Sequence, residues 1–155
     1  MLFLLFRLGN ERYALEAARV VEVIPRLPLR PQPGTPDFVA GLLNFRGKVV
    51  PVLDLRTLTL GSPCAEQLST RIILIHYVLK SGVKRMLGLI AEAVTDAVKK
   101  EPDEFAAVTA GQAPHLGKIA LDDSGMVQCI HPEYLLPPSI ETLLFDETRV
   151  GGSAQ

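Results

Sequence analysis

The sequence predicts a mostly β fold organised as two similar small lobes, and three observations predict it. Short apolar runs recur along the chain, while few long segments carry the 3.6-residue period of an amphipathic helix. Turn residues separate the runs at GNE (9–11), SG (81–82) and DDSG (122–125). The order strand, helix, loop, hairpin occurs twice, about 75 residues apart.

Taken in order, LFLLFRL (2–8) opens the chain as a strand and the GNE turn follows. LEAARVVEV (15–23) reads as a short alanine-rich helix. Pro25, Pro28, Pro31, Pro33 and Pro36 make the next segment a loop, because proline cannot donate to a sheet ladder. VAGLLNF (39–45) and KVVPVLDL (48–55) form a hairpin. Strands follow at 71–78 (RIILIHYV) and 84–90 (KRMLGLI), then a second alanine-rich helix at 89–98 (LIAEAVTDAV). GKIAL (117–121) and GMVQCIH (125–131) make the last hairpin, and the tail 146–155 is expected to be flexible. YALEAARVVEV (13–23) parallels LGLIAEAVTDAV (87–98), and the hairpin at 41–58 parallels the one at 117–136. Each half is too small to bury much core alone, so two lobes would share one.

Composition narrows the function classes. Sixteen basic and seventeen acidic residues leave a net charge of −1, without the clustered basic face that nucleic acid demands or a polybasic membrane signal. Cys64 and Cys129 are the only cysteines, too few for a disulfide framework. The opening MLFLLFRLG reaches Arg7 after a short apolar run, too brief to span a bilayer and without the pattern of a secretory leader. The cytoplasm is the expected compartment, with no direct membrane insertion.

No catalytic pattern is present. The chain lacks a GxxxxGK[ST] phosphate loop, a GxGxxG turn and a GxSxG elbow. Cys129-x-His131 resembles half a zinc site, and His115 could join it in a small metal-binding β-barrel. Alternate strand residues match metal-ligand spacings poorly, and Cys129 reads better as a core residue. Cys64 reads as a free thiol in a loop. Glu16, Glu22 and Glu92 fall on the helix candidates, where carboxylates are ordinarily solvated. No cofactor and no catalytic residue is expected.

NFRGKVVPVLDLR (44–56) is the stretch that needs explaining. Gly47 suits the left-handed position of a three-residue turn, Phe45-Arg46-Gly47, closed by a bulge. That register pairs Asn44 with Lys48, Leu43 with Val49 and Gly41 with Pro51, and puts Leu43, Val49 and Val52 among apolar neighbours. A two-residue turn would force Arg46 to positive φ. Pro51 must face an open edge or a bulge. Asp54 and Arg56 lie at the far end, where Asp54 can cap or pair locally. Spacing alone allows an ordinary solvated hairpin tip, but a turn needs glycine or asparagine, so Arg46 is left unexplained.

FVAGLLNFRGKVVPVLDLR (38–56) closely resembles the signature of CheW-like proteins, the adaptors of bacterial chemosensory arrays. Gly41, Asn44, Arg46, Gly47, Pro51, Asp54, Leu55 and Arg56 all match in place. FRLGNERYALEAARVVEVI (6–24) is similar to the family's opening, and MLGLIAEAV (86–94) to its G-apolar-x-V-D-x-V segment. The resemblance covers most of residues 3 to 136. It implies two five-stranded SH3-like barrels about a shared core, in a single domain over 1–145. Lobe 1 would span about 1–68 and lobe 2 about 69–145, with strands able to exchange between them. It also implies a non-enzymatic adaptor that couples chemoreceptor cytoplasmic tips to the regulatory domain of a CheA-type histidine kinase, and that can join other CheW-like proteins in rings. The location implied is the cytoplasmic face of receptor arrays under the inner membrane. Receptor-binding positions carried over by the motif are Val20, Glu22, Gly41, Asn44, Arg46 and Gly88. Gly47, Pro51, Asp54 and Arg56 would serve its structure. The chain departs from the pattern at Ala91-Glu92, where the family has Val-Asp, at Cys129-Ile130-His131, where it has Leu-Leu-Asp, and in a short 109–116 loop. An accessory CheW-like protein of a non-flagellar, surface-sensing pathway is the alternative.

Overall fold

The structure is a computed structural model that describes residues 1–106, 108, 111 and 113–145 of the chain. The expected flexible tail, 146–155, and parts of the 109–116 loop lie outside the described residues.

Eleven strands and two short helices are described. In chain order the strands are β1 (Leu2–Leu8), β2 (Glu11–Glu16), β3 (Val20–Pro25), β4 (Val39–Phe45), β5 (Lys48–Asp54), β6 (Arg71–Val78), β7 (Lys84–Ala91), β8 (Ala97–Lys99), β9 (Phe105–Ala106), β10 (Leu116–Asp122) and β11 (Gly125–Ile130). The helices are α1 (Leu55–Leu60) and α2 (Pro138–Leu144). They form two sheets, one ordered β3-β6-β7-β5-β4 and the other β8-β1-β2-β11-β10-β9. The fold is mostly β with two lobes, as predicted, with five strands in one lobe and six in the other.

The two sheets share a plan. In each, an antiparallel hairpin (β6–β7 or β1–β2) lies parallel to the second strand of another hairpin (β4–β5 or β10–β11). The two hairpins equated from sequence therefore occupy equivalent places. The lobe boundaries do not fall near residue 68. The five-stranded lobe is continuous over 20–91, whereas the six-stranded lobe joins β1 and β2 to strands from 97–130.

Both predicted alanine-rich helices are corrected. Residues 15–23 comprise the end of β2, a 3-10 turn at Ala17–Arg19 and most of β3. Residues 89–98 comprise the end of β7, a non-helical connection and the start of β8. In both places the chain crosses from one sheet to the other. Extended backbone wins because the flanking strands gain ladder bonds and core burial that a lone helix of nine or ten residues could not match.

β6 carries the run Ile72, Ile73, Leu74 and Ile75, all fully buried, because this central strand is covered on both faces. Its core continues into the other lobe through Leu4, Phe6, Leu8, Tyr13 and Leu15 of β1 and β2. Phe3, Ala14 and Val127 form a small separate cluster inside the six-stranded lobe.

A candidate partner-binding corner

The hairpin 39–54 closes more tightly than its sequence predicts. Phe45 pairs with Lys48, Asn44 with Val49 and Leu43 with Val50, so the turn has two residues, Arg46 and Gly47. Both take positive φ, 51° and 84°. This is the geometry whose twist matches a right-handed ribbon, and it overrides the side-chain preference against arginine there. The one-residue change in register turns Val49 outward, 72% exposed, and buries Val50 instead.

Local contacts compensate for the strained arginine. Asn44 Oδ1 accepts the Gly47 N–H at 3.0 Å, and the Arg46 guanidinium lies 4.6 Å from the centre of the Phe45 ring. Arg46 also reaches β3, where its Nη2 is 3.1 Å from Glu22 Oε1 and donates to Oε2 at 3.3 Å. β3 and β4 are the two edges of the five-stranded sheet, so this pair spans the seam at which the sheet curls shut. The backbone bridge between Arg30 and Leu42 closes the same seam further along. Phe45 was not singled out in the sequence, although an aromatic directly before the arginine was the available signal.

The register explains the rest of the carried-over set. Glu22 pairs with Leu74, Leu74 with Gly88, Gly88 with Val52, and Val52 with Gly41. Glu22, Gly88 and Gly41 therefore lie on one row around the barrel. Register shifts at Val20/Glu22 and Val39/Gly41 bend both edges of that row. Glu22, Asn44 and Arg46 reach the surface together, with Val20 half-buried on the same strand as Glu22 and packed against the core. Gly41 and Gly88 are buried and offer a partner no surface. A Cβ on Gly88 would lie 2.9 Å from Val52 Cγ2, and one on Gly41 would lie 2.6 Å from the Arg30 carbonyl oxygen.

Pro51 pairs with Leu42, whose own N–H and C=O bond to Arg30, so the missing proline donor breaks no bond to β4. Ladder pairing of β5 with β7 begins only at Val52. Asp54 is the N-cap of α1: its carboxylate accepts the N–H of Thr57 at 3.0 Å and of Cys64 at 3.0 Å. Arg56 diverges from Asp54 and donates to Glu92 Oε2 at 2.9 Å.

Glu92, the departure from the family pattern, is a junction between the lobes. Its backbone bridges to Arg7 of β1, and its buried carboxylate accepts the Gly9 and Ala65 N–H groups at 2.7 Å each. Burial alone pushes this carboxyl up, but those two N–H donors and Arg56 outweigh it and hold it below the ordinary range. In the six-stranded lobe Asp122 is likewise held low, chiefly by its paired bonds to Arg12 at 2.8 and 3.0 Å, with Lys100 adding a third contact.

The candidate metal ligands do not converge. His115 is buried, its Nε2 3.0 Å from Thr59 Oγ1 of the other lobe, while the His131 Nδ1 faces Glu133. Burial pushes the Cys129 thiol up to about 11. Among the described residues no group of three or more His, Cys, Asp or Glu side chains is placed to hold a metal ion.

Comparison with known proteins agrees with this architecture. A CheW-like domain model matches residues 2–138. The chain is 32% identical over 103 residues to the chemotaxis protein CheW of Klebsiella aerogenes, covering 66% of this chain and 59% of that protein. It is 43% identical over 53 residues to Protein FrzA of Myxococcus xanthus, covering 34% and 33% of the two chains. The chain thus spans less than two thirds of the length of these relatives. Scaffolding protein TtCheW from Thermoanaerobacter tengcongensis superposes with a TM-score of 0.77 at 27% identity, over 88% of this chain and 87% of that one.

Proposed function

The chain belongs to the CheW-like family, and on that premise we propose that it is a non-enzymatic adaptor coupling chemoreceptor cytoplasmic tips to a CheA-type histidine kinase at receptor arrays. The observation that carries the reading is the exposed, pre-ordered arginine at the barrel seam. Glu22 and the Phe45 ring hold the Arg46 guanidinium in place, yet its side chain remains 72% exposed. An arginine held this way can give a fork of donors to receptor carboxylate or carbonyl groups with little further loss of freedom. Val20 would add an apolar contact and Asn44 a polar one. Gly41 and Gly88 would act from behind, by letting the barrel close at the radius that sets the Glu22–Arg46 spacing.

Such a contact is small, and array formation would supply the avidity it lacks alone. No helix among the described residues is long and apolar enough to cross a membrane. The test is co-sedimentation of the purified chain with receptor-bearing membranes and a CheA-type kinase, read with wild type and with Arg46→Ala and Arg46→His. Loss of sedimentation with an unchanged melting temperature supports the adaptor reading. Undiminished sedimentation in both variants refutes the corner as the receptor site.

A non-flagellar accessory role is the second reading, supported by the match to Protein FrzA, a relative that does not carry a chemotaxis name. Deleting the gene and scoring swimming separately from surface behaviour distinguishes the two.

A further inference from the structure

A second concave surface adjoins the Glu22–Arg46 corner: Lys48 directly follows the Arg46-Gly47 turn and Val49 pairs with Asn44. It is a cleft of about 650 Å³ between the 32–35 segment, the start of β5, the β6–β7 hairpin and the end of α2. None of Val20, Glu22, Asn44 or Arg46 lines it. Its floor is apolar, with Val49 and Pro51 from β5, Met86 from β7 and Phe145 after α2. Lys48, His76, Lys84 and Arg85 stand around it.

The charges are one-sided. Among the described residues no carboxylate lines the cleft, and none of these four basic side chains makes an ion pair. Elsewhere Arg12, Arg19, Arg26, Arg56 and Lys100 each pair with a carboxylate. A chain of net charge −1 therefore keeps a local excess of positive charge beside Val49, the exposed apolar residue of β5. Such a surface recruits an anionic partner by long-range attraction and retains it by apolar burial.

The geometry favours carboxylates over phosphate. The cleft has no glycine-rich loop to supply a cradle of N–H groups. Lysines spread around an apolar floor instead match charges spread along a helix with one apolar face.

We propose that this cleft receives an acidic amphipathic helix of a partner protein. Its apolar face lies on Val49, Pro51, Met86 and Phe145, and its carboxylates meet Lys48, Lys84 and Arg85. This gives an adaptor a second surface, chemically unlike the first and next to it on the same hairpin.

The probe is a fluorescent helical peptide of about 18 residues, with leucine at i, i+3, i+4 and i+7 and glutamate on its other face. Anisotropy is read against the full chain at low and high salt. Wild type is expected to bind, more weakly as salt rises. Lys48→Glu with Lys84→Glu should weaken binding about tenfold or more, and Val49→Asp should weaken it as well. Lys118→Glu, one such charge reversal on the other lobe, should not, while Lys48→Glu alone should weaken it measurably. All these side chains are exposed, and melting curves confirm folding. Any of four results overturns the proposal: no binding by wild type, equal binding by the double variant, equal binding of a lysine-bearing peptide, or tighter binding of inorganic triphosphate. A gain in affinity on Asp146→Asn with Glu147→Gln would assign the cleft to the chain's own tail instead, and also overturns it.

Discussion

Arg46 and Glu22 meet across the seam of the five-stranded barrel, 24 residues apart in the chain and 3.1 Å apart in space. The pair joins the two sheet edges, and the arginine that makes it sits in a left-handed turn position that asparagine or glycine would fill with less strain.

That combination separates stability from binding. Arg46→Ala removes an exposed ion pair, so unfolding free energy should change by less than about 1 kcal/mol. Arg46→Asn relieves left-handed strain of about 1 kcal/mol and should raise the melting temperature by about 2–4 °C, less whatever the ion pair contributed. Both variants should lose receptor co-sedimentation. A loss of binding that always tracked a loss of stability would make Arg46 a brace and no more.

Gly88 should tolerate no side chain. Its missing Cβ would crowd Val52 and Ile72 at 2.9 and 3.1 Å, in a row where every neighbour is fully buried. Gly88→Ala is expected to cost about 1–3 kcal/mol in denaturant unfolding. Adding Val52→Ala should recover part of it, so the double variant should be more stable than the two single effects summed.

Acid should act first at the junctions. Glu92 and Asp122 both have folded-state carboxyls held below their ordinary range near pH 4. A group depressed in this way stabilises fully above its unfolded value and loses that contribution as pH falls through the folded one. Stability followed by circular dichroism should be flat above about pH 5 and fall steadily below about pH 4. Glu92→Gln should cost about 2 kcal/mol at neutral pH and show a shallower acid slope. An unchanged slope would remove Glu92 from the account.

Neither thiol should react in the folded protein. Burial first, and the Asp54 charge second, push Cys64 up to about 12, and burial pushes Cys129 up to about 11. Iodoacetamide at pH 8 should label both only in denaturant. Rapid native labelling of Cys64 would show that the loop around it opens from the Asp54 carboxylate.

Sequence reading located the strands whose apolar runs are bounded by turn residues, so β1, β4, β5, β6 and β7 begin where expected. It misplaced the helices. Ala17, Ala18, Ala91 and Ala93 suggested helix, but small residues suit equally the crossovers where two sheets approach. Asp54 before Leu55–Leu60 and Gly61 after it were legible cap signals for α1, masked by treating Leu55 as the end of a strand. At the corner, the motif named the polar residues, while pairing across the sheet decided which of them surface. Parallel pairing of β5 with β7, and of β11 with β2, joins distant segments through backbone bonds that leave no periodic trace.

The exchanged crossovers also set a timetable for synthesis. The five-stranded lobe is complete once Ala91 has left the ribosome, while β2 must wait for β11, more than a hundred residues behind it. At about 5–20 residues per second that is an interval of several seconds. During it the nascent amino-terminal hairpin has one apolar surface to shelter against, the growing lobe it shares a core with. Ribosomes stalled some way past Ala91 should therefore carry a protease-resistant 20–91 body, while the six-stranded sheet stays cleavable until Ile130 has emerged.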